Sequence, residues 1–204
     1  METVLSKQTR HSNMSYDDFL KLKAVVLFVL EKCPSIDMIH LFKIIYFADK
    51  NHFATYGRRI VNDTFFAMQN GPVPSALYNA VKLAKGDKTI SKDELLLLIS
   101  NAIEVTTEVT KNKEKDKLKA TEHPDMDELS STDIRFLTQS ISENKDLSFN
   151  KLSLKSHDAA WEEAWNKKGH RILGEFSMAR AAGASEDTIT FIKEQRSLDT
   201  LFAG

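Results

Sequence analysis

Asp49 and His52 lie three positions apart in a mostly apolar stretch. A carboxylate beside an imidazole can act as an acid–base pair or as half of a metal site, and that spacing puts both on one helix face. On a wheel of 100° per residue they fall among Met38, Leu41, Phe42 and Ile45, away from a solvent stripe of His40, Lys43, Lys50 and Asn51. Burying either group without a partner is costly, so this face encodes a specific polar contact. In the catalytic reading the pair ligates a metal or moves a proton. In the structural reading Asp49 holds an arginine, or a loop amide near Gly71, and the pair is a buried anchor. Arg58 and Arg59 are close enough in sequence to serve. No third ligand joins at a recognisable spacing, since His11, His40, His123, His157 and His170 are scattered. The structural reading is favoured, and no metal or cofactor is expected.

The next motif is Gly71-Pro72-Val73-Pro74. A glycine loop before a helix can cradle phosphate on its amides, but these prolines remove the donors. A rigid turn remains, with a functional variant as a stiff apolar surface for a protein partner, flanked by Met68 and Tyr78. Ser156-His157-Asp158 has the letters of a catalytic triad, yet adjacent residues do not align nucleophile, base and orienter in series. Helix capping by Ser156 or Asp158 fits better, with His157 packed on Trp161. Trp161 and Trp165 share a helix face and read as core. Cys33 reads as an apolar filler.

These residues need elements to place them. Ser15 caps a helix over Tyr16–Lys32, apolar nearly all round from Leu22 to Leu30 and stopped by Pro34. Ser35 or Asp37 caps a second helix to about Phe53, and Gly57 closes that region. Asp63 to Gln69 reads as a strand, and Pro74 opens a helix to Ala84. Ser91 caps a short helix through Leu98. Alternation at Ile103, Val105, Thr107 and Val109 marks a strand, and Lys117–Thr121 a second, with a charged turn at Lys111–Lys115 between them. Further helices start at Ser130 or Ser131, at Ser148 and at Asp158. Two tail helices, Leu173–Ala182 and Ser185–Leu201, hinge at Gly183. The tail spacing Ala179, Gly183, Ile189, Ile192 fits a helix-turn-helix, but the second helix opens Ser185-Glu186-Asp187, and carboxylates there repel DNA phosphate. A docked tail is the better reading.

The chain has 204 residues, 42% hydrophobic and 28% charged, with a formal net charge of −1. This is the composition of a soluble globular protein with no global attraction to nucleic acid or anionic lipid. One cysteine and no apolar leader suit a cytoplasmic protein, and no apolar run is long enough for a membrane span.

The chain resembles the Panacea domain, the antitoxin domain of SocA-like and phage-associated GepA-like proteins. The resembling residues are Leu41, Lys43, Tyr46-Phe47-Ala48-Asp49, His52, Tyr56-Gly57-Arg58, Asp63, Ala67-Met68, Gly71-Pro72-Val73-Pro74-Ser75 and Tyr78. A second block agrees: Leu129-Ser130, Asp133, Leu147-Ser148-Phe149, Leu152, Ser156-His157-Asp158 and Ala160-Trp161. The resemblance implies a mainly α domain with a small antiparallel sheet of about three strands. It also implies a non-enzymatic antitoxin that neutralises a toxin encoded in the adjacent gene. The expected division is a flexible N-terminus at 1–15, the antitoxin domain at 16–165 and a helical extension at 166–204. Tyr56, Gly57, Arg58, Met68, Gly71, Pro72, Val73, Pro74 and Tyr78 are the expected partner surface. Asp49, His52, Asp63, His157 and Trp161 are the expected polar anchors beneath it. The rival readings are an adaptor that delivers the toxin to a protease and a DNA-binding regulator acting through the tail.

Overall fold

Ser15 and Asp37 set the starts of the two longest core helices. The computed structural model describes residues 14–110 and 113–202, so the expected flexible segment 1–15 lies outside the described residues except for Met14 and Ser15. Helix α1 (Tyr16–Lys32) opens on a capping box in which the Ser15 hydroxyl accepts from Asp18 N and Asp18 accepts from Ser15 N. Its Phe19, Leu22, Val25, Val26 and Val29 have no exposed surface. In α2 (Met38–Tyr56) the Asp37 carboxylate accepts from His40 N at 2.9 Å, and Gly57 closes the helix in the left-handed region at φ 67°.

Helix α2 is the centre of the fold. Helices α1, α5 (Ser131–Asn144), α6 (Phe149–Ser156) and α8 (Glu175–Ala181) pack on it, together with strands β2 (Gly71–Pro74) and β4 (Lys113–Ala120). This enclosure corrects one expectation. Lys43 and Lys50, assigned to a solvent stripe, are 0% and 7% exposed. The helix pattern records only its own faces; the hairpin and α7 (Ala159–Trp165) that cover these lysines come from distant sequence.

The fold is mainly α with small antiparallel sheet, arranged as two separate hairpins. In the first, β1 (Phe65–Met68) pairs with β2, with Phe65 opposite Pro74 and Met68 opposite Gly71. The segment read as a proline loop is thus a strand. Prolines are tolerated because Pro72 and Pro74 face Ala67 and Phe65, whose backbone groups turn the other way: Ala67 N donates to Arg171 O at 2.7 Å, and Phe65 O accepts from Leu173 N at 2.9 Å. Residues 171–173 therefore lie along the free edge of β1, with an isolated bridge between Phe66 and Ile172. This pairing also delays the first tail helix, which begins at Glu175 and not at Leu173. In the second hairpin β3 (Ile103–Thr110) pairs with β4, setting Glu104 opposite Lys119 and Glu108 opposite Lys115. Thr110 pairs with Lys113, so the expected turn at Lys111–Lys115 falls partly on residues 111 and 112, outside the described residues.

Helix α3 (Ser75–Ala84) follows β2 directly, and α4 (Glu94–Ser100) packs on both α3 and α1. Asp93, not Ser91, caps α4, accepting from Leu95 N at 2.8 Å. At α3 the N-cap position is Pro74, which has no polar side chain to offer. Asp63 supplies the cap from outside the helix. Its carboxylate accepts from Ala76 N at 2.9 Å, Leu77 N at 3.0 Å and Ser75 Oγ at 3.1 Å, all buried. Asp63→Ala should therefore lower stability by about 2–4 kcal/mol, the scale of a lost cap plus buried donors left unmet. Chemical denaturation measures this, and an unchanged midpoint would refute the remote cap.

Candidate functional site

The buried polar side chains of α2 reach out to the elements around it. Lys43 Nζ donates to Pro72 O at 2.6 Å, which ties the helix to β2. Tyr46 Oη and Lys50 Nζ donate to the Asp158 carboxylate at 2.8 and 2.6 Å. Asp158 in turn caps α7, accepting from Ala160 N and Trp161 N. Asp49 takes the Arg59 guanidinium on one oxygen, and the amides of Ile60 and Val61 on the other at 2.7 and 3.1 Å. It fixes the chain after Gly57, not the loop at Gly71. His52 has no exposed surface; Nδ1 faces Arg58 O at 2.7 Å and Nε2 faces Thr132 Oγ1 at 3.0 Å. A carbonyl only accepts, so Nδ1 carries the proton, while Nε2 also lies 3.3 Å from the buried Asp133 Oδ1. Burial pushes the His52 pKa down, in keeping with a neutral ring.

Behind His52 lies a buried carboxylate that the sequence reading placed only as a matching position. Asp133 has no exposed side-chain surface and takes Lys21 Nζ at 2.5 Å and Ser130 N at 2.9 Å. Burial raises its pKa, but the Lys21 and Ser130 bonds outweigh that and hold it below the usual range. Asp133 and Asp158 both arrive from the second sequence block, about a hundred residues after the helix they serve. Their partnership with α2 left no local signal.

A second cluster forms around the hairpin. Gly71 has φ 96°, and a Cβ built there would lie 2.1 Å from Ser156 Oγ and 2.9 Å from Lys43 Cε. Ser156 donates to Ser153 O rather than capping a helix. Trp161 Nε1 donates to Met68 O at 2.9 Å. His157 stacks on Trp161 at 3.8 Å between ring centroids, and Trp161 on Trp165 at 5.1 Å. Arg171 closes the stack 3.8 Å above Trp165. Burial, then the Lys43 charge, lowers the His157 pKa, and its Nε2 is buried without a hydrogen-bond partner among the described residues. Neither histidine has the neighbours of a metal centre: no group of three or more candidate ligands occurs among the described residues.

The nine residues expected as one surface divide in two. Gly71, Pro72, Val73 and Pro74 are buried, with Met68 and Tyr78 half-buried beside them. The proline segment is a packed strand, and its stiffness serves the interior. Tyr56, Gly57 and Arg58 lie elsewhere, at the C-terminal end of α2. Tyr56 is 45% exposed, packs on His52 and Phe136, and accepts from Arg135 Nη2. Arg58 leans toward Ser130 and Asp133 at 3.3 and 3.4 Å. Gly57 lies under the last helix, α9 (Glu186–Phe202): a Cβ there would meet Ile192 Cγ1 at 2.8 Å. Ile192 and Ile189 join Phe53 and Ala179 in a small second core that docks the tail on α2. The helix-turn-helix spacing is thus filled by packing residues.

A groove of about 880 Å³ opens at this corner, between the first turn of α1, the end of α2, the turn at Met126–Glu128 and α9. The exposed Phe191 of α9 forms part of its wall, a contribution unmarked in the sequence.

The family described as Antitoxin SocA-like, Panacea domain, matches residues 41–162, more than half of the chain. The chain belongs to this family. No curated protein and no solved structure matches it. The matched span begins within α2, includes both hairpins and Asp49, Asp133 and Gly71, and ends within α7. Helix α1 and the tail helices lie outside the matched span. Among the described residues no helix is long and apolar enough to cross a membrane.

Two outcomes follow from the hairpin cluster. Gly71→Ala should cost about 3 kcal/mol or more, since backbone and side chains both resist the added carbon. Gly86→Ala, with φ 87° and nothing within 4 Å of its Cβ, should cost only about 1 kcal/mol. Equal losses would remove the packing argument. Burial lowers the Lys43 pKa from 10.5 to about 7. Above pH 7 the unfolded state binds the extra proton, so stability rises with pH between about 7 and 10.5, and the penalty is present in full below that window. Lys43→Met should remove this slope. From pH 6 to pH 9 the wild type should gain about 2–3 kcal/mol relative to the variant in denaturant titrations. Parallel curves would show that Lys43 does not titrate there.

Proposed function

We propose that this chain is the antitoxin of a toxin–antitoxin pair and neutralises its cognate toxin by direct, stoichiometric binding. Membership of the Antitoxin SocA-like family carries the reading. The physical support is the location of free contact chemistry. The proline strand and Lys43, Tyr46, Asp49, Lys50 and His52 of α2 are committed to the interior. The corner at Tyr56, Gly57 and Arg58 keeps exposed aromatic and guanidinium surface, the residue types that anchor protein interfaces. Nothing in this arrangement calls for catalysis: Asp49 and His52 have their bonding groups occupied in the interior.

DNA binding by the tail ranks lower. The second tail helix begins with Glu186 and Asp187, and Glu186 takes Arg180 in a paired contact at 2.5 and 3.0 Å, which neutralises a cation near that end. Delivery of the toxin to a protease differs from blocking in one observable, the fate of the toxin.

Co-expression with the protein encoded by the adjacent gene tests the proposal. The neighbour alone should arrest growth, and this chain should restore it in a complex that co-purifies. Tyr56→Ala should weaken that complex roughly tenfold while the protein still melts cooperatively. Restored growth with disappearance of the neighbour would replace blocking by degradation. A harmless neighbour that fails to co-purify would overturn the antitoxin reading.

A further inference from the structure

The groove at the end of α2 has a charge that its composition hides. Asp17, Asp18, Asp127 and Glu128 line it together with Lys21, Arg58 and Arg59. Counted as letters, the signs nearly balance. In the fold, two of the three cations are already neutralised. Lys21 is paired with the buried Asp133 at 2.5 Å, and Arg59 with the buried Asp49. Arg58 also leans toward Asp133, at 3.4 Å. Asp18 is engaged by Ser15 and by Asn62 Nδ2 at 2.6 Å. Asp17 and Asp127 are exposed and have no cation partner among the described residues. Low-dielectric walls around a cleft concentrate such a field.

The apolar component is equally defined. Tyr56 and Phe191 are 45% and 61% exposed, and both line the same groove, one from the end of α2 and the other from α9. Ile192 and Gly57, which meet where α9 docks, line it too. Two aromatic walls with an acidic rim fit one kind of occupant.

We propose that this groove receives a segment of the cognate toxin carrying Lys or Arg residues beside an aliphatic or aromatic anchor, and that α1 and α9 select which toxin is bound. The inference rests on the antitoxin reading. The selecting residues stand outside the family match at 41–162: Asp17 comes from α1, and Thr188, Phe191 and Gln195 from α9. The matched domain contributes Tyr56, Gly57, Arg58, Asp127 and Glu128 to the lining, and the flanking helices contribute Asp17, Thr188, Phe191 and Gln195. A difference at Asp17, Phe191 or Gln195, which are exposed, would change the groove without disturbing the buried network of α2.

The test uses the full chain and the protein encoded by the adjacent gene, with affinity measured at two salt concentrations. Phe191→Ala should raise Kd roughly tenfold. Asp17→Lys with Asp127→Lys should raise it at least about tenfold and flatten its salt dependence. All three positions are exposed, so each variant should still melt cooperatively, with only a small drop in melting temperature from the charge reversal in the first turn of α1. Val109→Glu, on the 75% exposed tip of β3, should leave Kd unchanged. If the wild type binds and the groove variants bind equally well, the groove is overturned while the antitoxin reading stands. Loss of affinity in Val109→Glu alone would move the site to the hairpin and overturn it as well. If the wild type neither binds the neighbour nor rescues growth, the antitoxin reading falls and takes the groove assignment with it.

Discussion

A helix buried over most of its length must find a partner for every polar side chain it turns inward, and α2 is such a helix. Lys43, Tyr46, Asp49 and His52 have no exposed surface, and Lys50 nearly none. Unpaired burial of these groups would cost several kcal/mol each. The neighbouring elements are therefore placed as much by hydrogen-bonding demand as by apolar contact. Pro72 O brings β2 to Lys43, Asp158 brings α7 to Tyr46 and Lys50, Thr132 brings α5 to His52, and Arg59 folds the following chain back on Asp49.

Buried charge of this kind adds little net stability and a good deal of specificity. A shifted α7 would strand Lys50, and a shifted hairpin would strand Lys43. The packing near Gly71 reflects the same demand. Only a residue without Cβ lets β2 come close enough for Pro72 O to reach the lysine while Ser156 lies against the strand. The stack from His157 through Trp161 and Trp165 to Arg171 then carries the order outward to residues 171–173, which pair with the other edge of β1. The aromatic ladder and the backbone bonds of Ala67 thus join the domain to its C-terminal segment.

Local patterns in the sequence carried the helix starts at Ser15, Ser130 and Ser148, the left-handed stop at Gly57, and the alternation of the second hairpin. Each is a contact within a few residues, where spacing alone is informative. The same wheel that set Asp49 and His52 on an apolar face misassigned Lys43 and Lys50, because a lysine beside a helix stripe looks alike whether solvent or a distant carbonyl receives it. Gly71-Pro72-Val73-Pro74 reads as a turn for a related reason. Prolines argue against a strand unless the partner's backbone groups face away, and that depends on Arg171 and Leu173 about a hundred residues later. The groove was the least legible feature. Phe191 stands beside Ile189 and Ile192 in the same helix, and which of them faces outward depends on where Ile192 seats that helix.

That seat connects the interior to the surface. Gly57 ends α2 with a positive φ, and its missing Cβ also leaves room for Ile192. One residue thus fixes where the central helix stops and where the last helix docks. Tyr56 precedes it and Arg58 follows it, so the chemistry of the corner is held by the tightest point of the tail contact. Asp49 binds the next three residues onto the core through Arg59 and the amides of Ile60 and Val61. The rim of the groove is therefore preorganised by buried bonds on one side and by the docked α9 on the other. A partner binding there would meet a surface already ordered, which lowers the entropic cost of association.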